Sequence, residues 1–171
     1  MLAWANLTAD NFDACLGEVE SGVGAATDLG VAMFVPFFYC RIAELLLCRS
    51  RLQECEAYLD KAADLMARTG EIVFRGELLQ LRAQLKLRGN DRASAEALFR
   101  EGLAHARELR ARSVELRVAT AFARYLLPAR RAEAGSLLEQ VLEQFDHSAD
   151  CADLREAREL LVAGNSLREL A

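Results

Sequence analysis

The chain has 171 residues, a formal charge of −5, 53% hydrophobic residues and 27% charged ones. That is enough apolar material for a packed core and excludes a disordered chain, while the acidic balance argues against a nucleic-acid binder, which needs a basic patch or stripe. Two prolines and ten glycines are too few for the many turns of an all-β chain, and the abundant Ala, Leu, Arg and Glu form a helix-favouring set.

The first residues, MLAWANLTADNF, lack a basic n-region and a cleavable apolar stretch, so no signal peptide is read there. The longest apolar run, residues 31–40, is interrupted by Pro36 and ends at Arg41, short of the roughly 20 residues a membrane helix needs. The expected compartment is the cytoplasm. Cys15, Cys40, Cys48, Cys55 and Cys151 are odd in number and contain no C-x-x-C pair, so they read as free thiols rather than a disulfide framework or zinc site.

Helical periodicity runs through the whole chain. Segments 10–28 and 34–49 come first, with Pro36 suited to a first turn. Ser50 and Gln53 form an S-x-x-Q capping box that predicts a helix over 51–68, closed by Thr69-Gly70. A helix over 72–88 stops at Gly89-Asn90, and Asp91 caps the next, 92–111. Ser113 is placed to cap 114–127, Pro128 breaks the chain before 130–146, and Asp150 is placed to cap 151–163.

A repeat emerges at an interval of roughly 40 residues. Cys55, Leu59 and Ala62 correspond to Ala95, Phe99 and Gly102, and again to Ala134, Leu138 and Val141. Each set places small residues where two helices approach closely and a large apolar residue between them. One hairpin cannot bury its whole apolar face; stacking hairpins buries a continuous core. The predicted fold is therefore all-α: one domain over 1–171, built as a right-handed α-α superhelix of stacked antiparallel hairpins. The hairpins are 34–68, 72–111 and 114–146; 10–28 reads as an orphan helix B, with Cys15, Val19 and Gly22 at the matching places, and 151–163 as a cap.

Three stretches carry a resemblance: TGEIVFRGELLQLRAQLKLRG, AEALFREGLAHARELRARSVELRVATAFARY and ADLREARELL. They resemble the C-terminal tetratricopeptide-like region of bacterial multidomain signalling ATPases, whose output domains are of the nucleotide-cyclase or LuxR type. The specific matches are 69–71, 111–117 and 152–157, which are packing and capping signatures. The resemblance spans roughly residues 34–163 and contains none of the cyclase, ATPase or DNA-binding domains. It implies a non-catalytic protein-interaction module, the regulatory or scaffolding tail of such a protein. The alternative is a stand-alone assembly protein that self-associates through its N-terminal edge and an aromatic patch.

In such a solenoid the first helix of each hairpin lines the concave face. That frame places Phe37, Cys40, Glu44, Glu77, Gln80, Gln84, Arg88, Ala119 and Ala123 there as the protein-binding set. The expected partner is a protein segment or neighbouring domain, with a homo-oligomer as the other possibility and no direct contact with nucleic acid or membrane. The Lys/Asn carboxylate clamp for chaperone tails is missing, since the asparagines are Asn6, Asn11, Asn90 and Asn165. No catalytic, cofactor or metal residues are assigned. Gly22-Val23-Gly24 lacks the strand and G-K-[ST] of a phosphate loop and reads as small residues for close packing. Asp146, His147, Asp150, Cys151 and Asp153 match no ligand spacing, and His105 and His147 lack a paired nucleophile. Glu96 with Arg100 and Glu71 with Arg75 sit at i,i+4 spacing. Arg107, Arg110, Arg112 and Arg117 read as a solvated face or the contact for an acidic partner. Phe34, Phe37, Phe38 and Tyr39 crowd one helix start and cannot all face inward, which marks a contact surface.

Overall fold

The computed structural model describes residues 12–30, 33–146 and 149–166, with the side chains of Cys15, Asn165 and Ser166 left aside. These residues form eight helices and no strand. They are α1 (Phe12–Asp28), α2 (Val35–Cys48), α3 (Leu52–Thr69), α4 (Arg75–Arg88), α5 (Arg92–Glu108), α6 (Arg112–Leu126), α7 (Arg131–Leu142) and α8 (Ala152–Ser166). Each matches a segment with helical periodicity, and the ends move by a few residues.

The chain divides into two compact units, residues 1–74 and 75–171. In the first, α2 packs against α1 and α3. Val23 of α1, Val35 of α2 and Leu65 of α3 form a small core with Val19, Phe38 and Tyr39 around it. Phe12 is buried at the start of α1, beneath the guanidinium groups of Arg49 and Arg51, 4.2 and 5.4 Å from its ring centre. The helix-B register expected for α1 is therefore corrected: Phe12, Val19 and Val23 face inward. Gly22 and Gly24 lie exposed, and a side chain on either would meet open space, so they do not serve close packing.

In the second unit each helix packs against the next, and α6 also packs against α4 and α8. Its core is continuous from Ala83 to Ala157 and is centred on α6, which buries Leu116, Val118, Ala119, Phe122, Ala123 and Leu126. Phe99, Phe122 and Tyr125 stack with centroids 5.1 to 6.3 Å apart. The repeat anchors behave as their spacing requires, since Cys55, Leu59, Ala62, Ala95, Phe99, Ala134, Leu138 and Val141 are all buried. Gly102, also buried, lets α4 and α5 approach so closely that an added Cβ would lie 3.4 Å from the Gly76 carbonyl oxygen and Leu79 Cβ. Gly76 is tighter still, with Val114 Cγ1 only 2.6 Å from where its Cβ would sit.

One turn is used three times. After α2, α4 and α5 a residue in the left-handed region, Ser50, Asn90 or Arg110, has φ of 59°, 60° or 53°. Each time its N–H donates to a carbonyl three residues back, and the next N–H donates to one five back: Ser50 to Leu47 and Arg51 to Leu46, Asn90 to Leu87 and Asp91 to Lys86, Arg110 to Arg107 and Ala111 to Ala106. This is the Schellman arrangement, which satisfies carbonyls orphaned at a helix end. The following residue then starts the next helix with nearly the same backbone angles (Arg51 −83°/66°, Asp91 −86°/77°, Ala111 −84°/72°).

Three capping expectations are corrected. Ser50 closes α2 in the left-handed region instead of capping α3, whose N-cap is Arg51 with no side-chain cap bond. Ser113 lies inside α6, whose N-cap is Ala111. Asp150 holds the Arg155 guanidinium at 2.8 Å. Asp91 does cap α5, accepting from the Ser94 N–H at 3.2 Å, and Gly70, at φ 71°, closes α3. The α6–α7 turn at Pro128-Ala129 uses no left-handed residue; Leu126 O accepts from both the Ala129 and Arg130 N–H groups.

Candidate functional site

The residues expected on a concave face fall into both units. In the first, Phe37 is half-buried between the rings of Phe38 and Phe74, at 5.6 and 5.5 Å, with the Arg41 guanidinium 5.4 Å from its centre. Glu44 pairs with Arg41 at 2.8 Å. Cys40 is fully buried. In the second, Gln80 and Gln84 are half-buried and Arg88 is exposed at the end of α4. Glu77 is buried, and so are Ala119 and Ala123. Cys40, Glu77, Ala119 and Ala123 therefore offer no surface, which corrects their place in the binding set. For α6 the reason is topological: helices on several sides leave little of it facing solvent.

Buried carboxylates organise the second unit. Glu77 of α4 is ion-paired with Arg117 of α6, which also lies 3.7 Å from Asp153 of α8. Glu115 of α6 accepts from Arg107 of α5 at 2.7 Å and from the Gln144 amide at 3.1 Å. Arg107 also donates to Gln140 of α7 at 3.1 Å, and Arg112 to the Gln144 carbonyl at 3.4 Å. The arginines at 107, 112 and 117 thus fasten one helix to another, and Arg110 forms a turn. Arg107, Arg110 and Arg112 are nonetheless exposed, as expected of a solvated face, and Arg117 is half-buried. A sequence signal was present but faint: Glu77 and Glu115 fall on apolar stripes, where a carboxylate needs a partner.

A second network joins α5 to α7. Arg130 donates to both Glu96 oxygens, Arg100 reaches Glu96 at 2.7 Å and Glu133 at 3.1 Å, and Arg130 lies 3.5 Å from Glu133. The Arg130 and Arg100 hydrogen bonds hold the Glu96 carboxyl down at about 2. The expected Glu96–Arg100 pair is present. Arg75, by contrast, turns to Glu101 at 2.8 Å, while Glu71 accepts from the Val73 N–H.

Beside this network lies a cleft of about 250 Å³, lined by Arg92, Arg124, Tyr125, Pro128, Ala129 and Arg130 among others. Arg124 is ion-paired with Glu156 of α8, and the Arg130 guanidinium stands 6.0 Å from the Tyr125 ring centre. Nothing in the sequence marked it, because its arginines lie 32 and 38 positions from the first of them.

The first unit carries the exposed apolar cluster. Met33 and Phe34 are 65% and 55% exposed, and Ile72 and Val73 48% and 54%. The Phe34 and Phe74 rings, 6.3 Å apart, join the two segments. Of the crowded aromatics, Phe37, Phe38 and Tyr39 are half-buried, and Phe34 remains on the surface.

Among the described residues no three His, Cys, Asp or Glu side chains converge to hold a metal. Of the 146–153 cluster, Asp150 and Asp153 lie against Arg155 and Arg117, while His147 falls outside the described residues. Cys40 and Cys55 are buried free thiols, Cys48 and Cys151 exposed ones. No described helix is long and apolar enough to cross a membrane. No protein-family model, curated protein or solved structure matches the chain.

Proposed function

We propose that the chain is a non-catalytic helical-repeat module that binds a protein segment or a neighbouring domain. The observation that carries this reading is the packing of α6 against both α4 and α8 as well as its sequence neighbours α5 and α7. That is the neighbour pattern of stacked tetratricopeptide-like hairpins, in which alternate helices form an inner row. The turn shared by α2–α3, α4–α5 and α5–α6 supports the same reading, since a solenoid repeats its junctions. Its inner row would be α4, α6 and α8, with Gln80, Gln84 and Arg88 as the solvent-reaching contacts on α4. The resemblance of residues 34–163 makes the regulatory or scaffolding tail of a bacterial signalling ATPase the setting. Selection from a displayed peptide library tests binding: selected peptides should lose affinity for Gln84→Arg and Arg88→Glu variants of unchanged helicity. Failure to select any peptide, or unaltered binding by both variants, would overturn the reading.

A second reading, self-association through the first unit, is favoured by the exposed Met33, Phe34, Ile72 and Val73. Sedimentation across a concentration series decides it: Phe34→Asp should shift a dimer to monomer, and a wild type monomeric throughout removes the reading.

A further inference from the structure

The cleft at the α6–α7 turn has a chemistry that a protein-segment groove does not require. Arg92, Arg124 and Arg130 stand in its walls, and no carboxylate lines it. Arg92 opens α5, is exposed, and has no acidic partner among the described residues. Arg124 is steadied from outside by Glu156, and Arg130 by Glu96 and Glu133. A guanidinium has five N–H donors in a fixed fork, so Arg124, held by Glu156, keeps donors to spare, and Arg130 keeps those that Glu96 and Glu133 do not take. α7 starts at the rim with Arg130 as its N-cap and no side-chain cap bond, while Glu133 in its first turn offsets part of the helix dipole. Leu126, Pro128 and Ala129 supply an apolar wall that weakens competition from water. The volume of about 250 Å³ lies below that of sites for drug-sized ligands and suits a small anionic group.

We infer that this cleft is a phosphate-binding site, taking a phosphate monoester through Arg92, Arg124 and Arg130. Planar guanidinium forks match phosphate oxygens two at a time, and a dianion gains more from three of them than a carboxylate does. The inference goes beyond the interaction module and does not depend on which face takes a protein partner. The phosphate can come from a phosphorylated side chain of another protein or from a small free phosphate compound.

Isothermal titration of the full chain with inorganic phosphate, a phosphoserine peptide and the same peptide unphosphorylated tests it, at matched ionic strength in chloride. Saturable binding of phosphate or phosphopeptide is expected, about tenfold weaker in Arg92→Gln and in Arg124→Gln. Arg68→Gln, which removes the same charge from the other unit, should leave it unaltered. Much tighter binding of the phosphopeptide identifies a phosphorylated protein as the source; equal binding identifies a small phosphate compound. Either result supports the site. Circular dichroism checks that the variants keep their helices, and Arg92, exposed and without an ion pair, is the substitution least coupled to folding. The site is overturned by absence of saturable binding at millimolar phosphate and phosphopeptide, by equal affinity of the unphosphorylated peptide, or by wild-type affinity in both cleft variants.

Discussion

Arg110 shows how backbone need overrides residue preference. Its left-handed φ of 53° is set by the two hydrogen bonds that end α5, although only glycine or asparagine adopts that region cheaply. Arg110→Gly should therefore stabilise the chain by about 0.5–1 kcal/mol, read as a higher urea midpoint, whereas Asn90→Gly should change little. The cysteines make a second residue-scale case. Burial first, then the charge of Glu56, pushes the Cys55 thiol up to about 11, so it stays protonated and unreactive at neutral pH. Brief treatment with iodoacetamide should label Cys48 and Cys151, while Cys40 and Cys55 label only in denaturant, as peptide mass spectrometry would show. Labelling of Cys55 at the Cys48 rate would contradict its burial.

At the scale of elements the hydrophobic periodicity was enough to locate all eight helices, because a 3.6-residue stripe is a local property. Phe99 with Ala95 and Gly102, or Leu138 with Ala134 and Val141, could be read as core-facing from spacing alone. Which face of a helix stays open is a different matter, since it depends on how many neighbours surround it. Ala119 and Ala123 were legible as small residues, but small residues suit both an open groove and a crowded interior, and four neighbouring helices decide for the interior. The arginine cleft was invisible for a related reason: its parts come from two helices and the turn after the second. The α4–α6 contact permits a direct check. Gly76→Ala would drive a methyl into Val114, a stiff β-branched side chain, at an expected cost of about 1–3 kcal/mol. The same substitution should cost distinctly less in a Val114→Ala background, a double-mutant cycle measured by chemical denaturation.

On the scale of the whole molecule, a single domain was expected and two compact units are observed, meeting in sequence at Phe74 and Arg75. The helix expected over 72–88 runs across that point, so no boundary was read there, whereas α4 starts at Arg75. Arginine partners lower carboxyls in both units, Glu54 in the first and Glu96 in the second. Folding lowers the Glu96 carboxyl to about 2, from roughly 4.3 for an unfolded chain. Its contribution is thus complete above about pH 4.5 and is lost as pH falls towards 2. Wild type should exceed Glu96→Gln in urea midpoint at pH 7, and the gap should close by about pH 2. A gap that persists unchanged into acid would mean that Glu96 acts by packing rather than charge.

The recurrent Schellman turn has a consequence for which length changes the chain tolerates. Because Ser50, Asn90 and Arg110 hold the same torsion under different side chains, these joints resist substitution better than insertion. One extra residue there would break the paired bonds to the carbonyls three and five residues back and displace the start of the next helix. Evolution and protein engineers alike should find these three joints free to change in spelling but locked in count.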